Sequence, residues 1–258
     1  LYASRADYHG RSYFTFTWIA QPSMRAHVWR ALDDSLFLVD GVTAVGVVPM
    51  PVDEWGLDVL VSGSQKALML PPGLGFIALS NRAWEKTKQA KLPRFYFDLN
   101  LERKNQQKGS GAFTPAVSLI FGLRASLNMI QREGLENVYA RHARLCRAAR
   151  AAATALGLKL LAPDSPSPAA TGIYLPNGID ADEVLDYLRD KMNVTLAEGQ
   201  DQLKGKAIRM AHVGYMGAFD VITGVAALEM ALRKFGAESP FGRGVAAAGY
   251  ADGYPWHV

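Results

Sequence analysis

Three side chains stand just beyond or within apolar runs, where open α/β sheets place their chemistry. Lys66 closes Val-Leu-Val-Ser-Gly-Ser-Gln-Lys, Asp40 closes Leu-Phe-Leu-Val-Asp, and Arg209 sits in Ile-Arg-Met-Ala-His. Taken singly, each has a plain structural reading: a turn cap, a loop charge, a strand residue facing solvent. Taken together they describe one chemistry. A lysine amine that has shed its proton forms an imine with an aldehyde. A carboxylate beside a pyridine nitrogen keeps that nitrogen protonated, so that the ring can accept electrons. An arginine fork holds a carboxylate through two parallel bonds. The small and hydroxyl residues Ser62-Gly63-Ser64 before the lysine let backbone approach a phosphate closely. These are the parts needed around pyridoxal phosphate and an amino-acid substrate.

The elements that must position these groups follow from the hydropathy pattern. Tyr13 to Ile19 predicts a strand, followed by a short helical stretch after Pro22. Ser35 to Val39, Leu57 to Ser62 and Gly75 to Ser80 read as buried strands. Asn81 is the expected N-cap of a polar helix, and Arg94 to Leu99 alternates like another strand. Helical spacing runs from Pro115 to Arg132 and, after Gly134, from about Asn137 to Leu156. Strands are then expected at Leu158–Leu161, Ala170–Leu175 and Ala207–Val213. Helices are expected from Asp180 or Asp182 to Lys191, and from Phe219 to Phe235. The Gly- and Ala-rich stretch from Gly242 is expected to be poorly ordered. The pattern predicts an α/β chain: a large domain over 1–114, bridging helices over 115–157, a small α+β domain over 158–236 and a tail over 237–258.

Composition narrows the function. The chain has 258 residues, 49% hydrophobic and 20% charged, with a net charge of +4 spread along its length. That balance gives no basic face for nucleic acid. The nearest candidate, Arg141, Arg144, Arg147 and Arg150, is expected to be a solvated helix face. No apolar run approaches the ~18 residues of a membrane span, and the first residues lack a signal-peptide core. The single cysteine, Cys146, excludes an internal disulfide, and the five histidines show no metal-ligand spacing. A cytoplasmic setting is expected.

The segments Leu-Val-Asp-Gly-Val-Thr-Ala-Val-Gly at 38–46 and Asp-Val-Leu-Val-Ser-Gly-Ser-Gln-Lys-Ala-Leu-Met-Leu-Pro-Pro-Gly at 58–73 make the chain recognisable. With Phe-Thr-Pro-Ala-Val-Ser at 113–118 and Ile-Arg-Met-Ala-His-Val-Gly at 208–214, it resembles class V pyridoxal-phosphate aminotransferases. The likeness is to the alanine–glyoxylate and serine–glyoxylate (serine–pyruvate) branch and extends over roughly 36–236. The resemblance implies fold type I, with a partial three-layer large domain on a mixed sheet, and a homodimer. It implies Lys66 as the imine-forming lysine and proton shuttle, and Asp40 on the pyridine nitrogen. Val42 is implied on one ring face, Gln65 with Ser64 near the phosphate, and Arg209 on the substrate carboxylate. Thr114 is implied to reach the phosphate of the neighbouring subunit.

The text also departs from the family. The usual Gly-rich phosphate loop and stacking aromatic precede the point where this chain begins, Phe16-Thr17-Trp18-Ile19 replaces a Ser-Thr-Gly-Val segment, and Glu198 replaces a glycine before Gly199. The chain does not begin with Met, and an N-terminally truncated gene product is expected. The functional expectation is transfer of an amino group from alanine or serine to glyoxylate or another small 2-oxo acid. The alternatives are another class V enzyme of lyase or desulfurase type, and a non-catalytic remnant that still folds and dimerises. Cys146, in a predicted helix, does not suit a desulfurase, which needs a mobile cysteine.

Overall fold

The computed structural model describes residues 36–238 and 241–251, and the backbone of 3–8 and 11–16. The chain divides into two compact units. One comprises Leu1–Val45 and Pro49–Arg132, the other Gly46–Val48 and Glu133–Val258.

The first unit holds a five-stranded mixed sheet, β1 (Ala3–Tyr8), β2 (Arg11–Phe16), β3 (Leu38–Asp40), β4 (Val59–Gly63) and β5 (Gly75–Leu79), in that order. The outer pairs β1/β2 and β4/β5 are antiparallel, while β2/β3 and β3/β4 are parallel. The strand expected over Tyr13–Ile19 is seen as β2; residues 17–19, and the helix expected after Pro22, lie outside the described residues. Helix α1 (Asn81–Lys88) is capped by Ser80, not Asn81, because the Ser80 hydroxyl accepts the Ala83 amide at 3.1 Å. The strand expected over Arg94–Leu99 does not form. Asp98 instead accepts the amides of Asn100 and Leu101 and starts α2 (Leu99–Gln106), while Phe95, Tyr96 and Phe97 remain exposed. An N-cap aspartate satisfies donors that a strand would have to pair with a neighbour. Helix α3 (Val117–Glu133) follows.

Gly134, at φ 86°, separates α3 from α4 (Leu135–Ala155), where a residue with a Cβ would be strained. The second unit carries a four-stranded antiparallel sheet in the order β6 (Lys159–Leu160), β7 (Ala170–Tyr174), β9 (Ala207–Ala211), β8 (Ala197–Glu198). Helix α5 (Ala181–Met192) starts at the Asp180 cap and ends at Asn193, in the left-handed conformation. Ile173 and Ile208 pack with Val184 and Leu188 of α5 and with Leu228 and Leu232 of α6 (Ala218–Lys234). The unit boundary after Arg132 puts most of the first expected bridging helix in one unit and the second in the other.

Two expectations for this unit are corrected. The tail forms α7 (Arg243–Ala251), because the buried carboxylate of Glu229 accepts the amides of Gly242, Gly244 and Val245 at its first turn. The arginines of α4 are not a merely solvated face. Arg141 holds the Gly214 and Met216 carbonyls and pairs with Glu133, and Arg150 holds the carbonyls of Ala162 and Pro163. Among the described residues no helix is long and apolar enough to cross a membrane.

Candidate active site

Strands β3 and β4 are parallel and in register, Leu38 opposite Val59 and Asp40 opposite Val61. Asp40 therefore ends β3 at the same carboxyl edge from which the Lys66 turn leaves β4. The chain passes Asp40 closely: the Gly41 amide donates to the Val61 carbonyl at 2.8 Å. A Cβ at Gly41 would lie 3.2 Å from that carbonyl oxygen and 2.6 Å from Leu60 Cδ1, so glycine serves here by its lack of side chain. One Asp40 oxygen, Oδ1, accepts the Val42 amide at 3.0 Å. That short turn fixes the carboxylate to the backbone and fixes Val42 beside it. Among the described residues the other oxygen makes no hydrogen bond.

The Lys66 turn is held from within. Ser64 is fully buried, and its hydroxyl donates to the Pro71 carbonyl at 2.8 Å and accepts the Leu74 amide at 3.2 Å. Its own amide donates to the Leu74 carbonyl, its carbonyl accepts from Leu70, and the Lys66 carbonyl accepts from Met69, which has φ 60°. From α3, the Ser126 hydroxyl donates to the Leu68 carbonyl at 2.6 Å. Lys66 is thus a half-buried side chain on a loop braced at both ends, with Ala67 and Leu70 buried beneath it. Ser64 has a structural job, since its hydroxyl is already engaged on both sides. The exposed Gln65 folds back over Gly63, where a Cβ would come within 2.6 Å of Gln65 Oε1.

A cluster missed by sequence reading sets the strands at their other end. Asp58, 3% exposed, accepts the Phe37 amide and one Arg82 nitrogen on Oδ2, and the Ser80 hydroxyl and Arg82 Nε on Oδ1. Burial works to raise this carboxyl's pKa, but the bonds from Arg82, Phe37 and Ser80 outweigh it and hold it below the ordinary range. An acid opening an apolar strand, in Leu-Asp-Val-Leu-Val, was the available signal.

Arg209 belongs to the second unit. It lies in β9 with Gly172 and Ala197 opposite, so small neighbours flank it on both strands. Its Nε donates to the Glu198 carbonyl at 2.9 Å. It lines a cavity of about 530 Å³ with Thr195, Met216, Asp220 and Thr223. The loop after β9 is secured by two buried histidines. His142 Nε2 accepts the Gly214 amide at 3.1 Å, and His212 Nε2 lies 2.9 Å from the Thr171 hydroxyl. Burial, helped by Arg141, lowers the His142 pKa to about 4; burial and His142 lower that of His212 to about 4. Both are neutral, which the His142 acceptor role requires. Thr114 lies exposed ahead of α3. Lys66, Asp40, Val42, Ser64, Gln65 and Thr114 thus all fall in the first unit, and Arg209 in the second.

The sequence matches the family described as Aminotransferase class-V over residues 20–217, and the chain belongs to that family. It is 46% identical over 228 residues to a protein named soluble hydrogenase, small subunit, from Synechococcus sp. (strain PCC 6716), covering 88% of this chain and 59% of that one. It is 39% identical over 221 residues to the serine–glyoxylate aminotransferase of Methylorubrum extorquens, covering 83% and 55%. Among solved structures it is similar to ureidoglycine–glyoxylate aminotransferase from Bacillus subtilis, at 30% identity and a TM-score of 0.79, covering 84% and 58%. The fold is therefore that of the fold-type-I pyridoxal-phosphate aminotransferases. The chain spans a little over half the length of the relatives it matches.

Proposed function

We propose that this chain carries the lysine-bearing part of a pyridoxal-phosphate aminotransferase that moves an amino group from alanine or serine to glyoxylate or another small 2-oxo acid. One observation carries the reading: Asp40 and the braced Lys66 turn leave the same edge of two parallel strands in register. The donor set suits the cofactor, with an amine, a carboxylate that keeps one oxygen open, and an amide side chain on the turn. Lys66 would hold the cofactor, Asp40 its ring nitrogen, Val42 one ring face and Gln65 the phosphate; the Ser64 hydroxyl would act on Lys66's turn instead. When bound, pyridoxal phosphate supplies an electron sink for the carbon that carries the amino group. Lys66 Nζ then moves a proton to and from that carbon, and Asp40 holds a proton at the ring nitrogen.

Arg209 holds the substrate carboxylate through its guanidinium. Glyoxylate is named as a partner substrate in two of the relatives above, which supports a small 2-oxo acid as acceptor. A desulfurase finds no support in Cys146. It is buried in α4, and burial raises its pKa although Arg150 and Arg147 act to lower it. A homodimer completes the reading, with exposed Thr114 reaching the neighbouring subunit's phosphate. Phe95, Phe97 and Phe121, at 76%, 82% and 65% exposure, support an apolar partner surface. The cytoplasm is the proposed setting, in keeping with an unpaired thiol. Titration with pyridoxal phosphate tests the proposal: visible absorbance should appear and be lost in Lys66→Ala. Absorbance unchanged in Lys66→Ala, or none in the parent chain, counts against it.

A further inference from the structure

A guanidinium can meet a carboxylate along two kinds of edge, Nε with one Nη or the two Nη together. Arg209 has one kind available. Its Nε donates to the Glu198 carbonyl, and among the described residues this is its only hydrogen bond. The direction of the fork therefore depends on what holds Glu198 in place.

Glu198 ends β8, a strand of two residues, opposite Ile208. Directly after it the Gly199 amide donates to the Ala207 carbonyl at 2.8 Å. The chain then makes a 3-10 turn at Asp201–Leu203 and doubles back, with Leu203 donating to Gln200 and Lys206 donating to the Leu203 carbonyl. This return lays the Leu203 carbonyl against the Gly199 Cα. A Cβ at Gly199 would overlap the Leu203 carbonyl carbon and oxygen, which are backbone atoms that no rotamer change can move aside.

We propose that Gly199 is a positioning residue for Arg209. By admitting the Leu203 carbonyl it holds the Glu198 carbonyl on Nε, so that Arg209 presents its two Nη, and that edge alone, to the carboxylate of an amino acid or 2-oxo acid. The inference rests on the reading of Arg209 as the carboxylate-binding residue.

The test is side-chain NMR of the full, 15N-labelled chain, with the Arg209 Nε–H identified by its loss in Arg209→Lys. Exchange of this proton with water should be about fivefold slower than in free arginine, the factor expected of an ordinary hydrogen bond. Pyruvate should shift the Nη signals and leave Nε–H in place. Gly199→Ala should return Nε–H exchange to the free rate and weaken pyruvate binding, with the amides of Ile173 and Ile208 unmoved. Free exchange in the parent chain overturns the proposal. So does slow exchange surviving in Gly199→Ala, or pyruvate displacing Nε–H from Glu198. If Gly199→Ala does not fold, the parent chain's exchange rate decides. A slow Nε–H with no response of Nη to pyruvate would sink the carboxylate reading while the Glu198 clamp stands.

Discussion

Asp58 offers the most quantitative test, because its carboxylate ties β4 to the residue entering β3 and to the cap of α1. Its two oxygens accept four hydrogen bonds, and its side chain is 4% exposed against 37% for Arg82. Asp58→Ala leaves the Phe37 amide without its side-chain acceptor at a buried position, a loss of about 1–3 kcal/mol. Ser80 keeps its bond to the Ala83 amide but loses a charged acceptor, adding about 1 kcal/mol. The Arg82 contribution is discounted to about 1 kcal/mol, since a guanidinium this exposed is rehydrated and screened. The expected total is about 3–5 kcal/mol. Asp58→Asn should cost less, about 1–3 kcal/mol, because the amide can turn its oxygen to Phe37 and its NH2 toward the hydrated side.

Hydrogen exchange of the Phe37–Asp40 and Val59–Gly63 amides reads this locally, without assuming that two units unfold as one. The pH dependence has a definite sign. The folded carboxyl lies below its unfolded value, so the stabilisation is complete above the unfolded pKa and is lost as pH falls through the folded one. The gap between parent and Asp58→Asn should therefore close in acid. Equal costs for Ala and Asn, or a gap that widens as pH falls, would refute the assigned bonding.

Four further outcomes are expected. Glu229→Ala should free α7, costing about 2–4 kcal/mol for three amide bonds and a lost cap, seen as faster exchange across 242–251. His142 and His212, with folded pKa values of about 4 against about 6.5 unfolded, contribute stability that is complete above pH ~6.5 and lost toward pH ~4. A second-unit melting temperature that holds steady over that window would contradict this. Gly41→Ala should displace the Asp40 turn from Val61, weakening pyridoxal-phosphate binding with little change in the second unit. Ser64→Ala should lower first-unit stability by about 2–3 kcal/mol, because it strands a buried amide and carbonyl; denaturant titration measures it.

What could be read from sequence was whatever a short stretch determines. Asp40 and Lys66 stand out because apolar runs end beside them, and the positions of β3, β4 and β9 follow from those runs. The misreadings arise where a distant or competing partner decides. Arg94 to Leu99 alternates like a strand, yet it has no strand beside it, and Asp98 offers its oxygen to the next turn instead. Helix α7 carries no cap of its own in Gly-Val-Ala-Ala-Ala-Gly; its cap is Glu229, more than a dozen residues earlier and buried in α6. The Asp58 cluster spans 21 to 24 residues in sequence, so no local pattern announces it.

The segment Ser-Gly-Ser-Gln-Lys shows why residue type alone misassigns roles inside a motif. A phosphate site and a tight turn ask for the same small, hydroxylated residues, the first for close approach and the second to satisfy backbone groups that no strand pairs. Burial separates the two demands. Ser64 is fully enclosed with both hydroxyl functions engaged by Pro71 and Leu74, whereas Gln65 is exposed and Lys66 half-buried on the same turn. The buried residue builds the loop and its exposed neighbours remain for chemistry. An imine-forming lysine needs its backbone held without the help of a ligand, since it must release and recapture the same group at each turnover. Ser64, Ser126 and the left-handed Met69 supply that hold from within the chain.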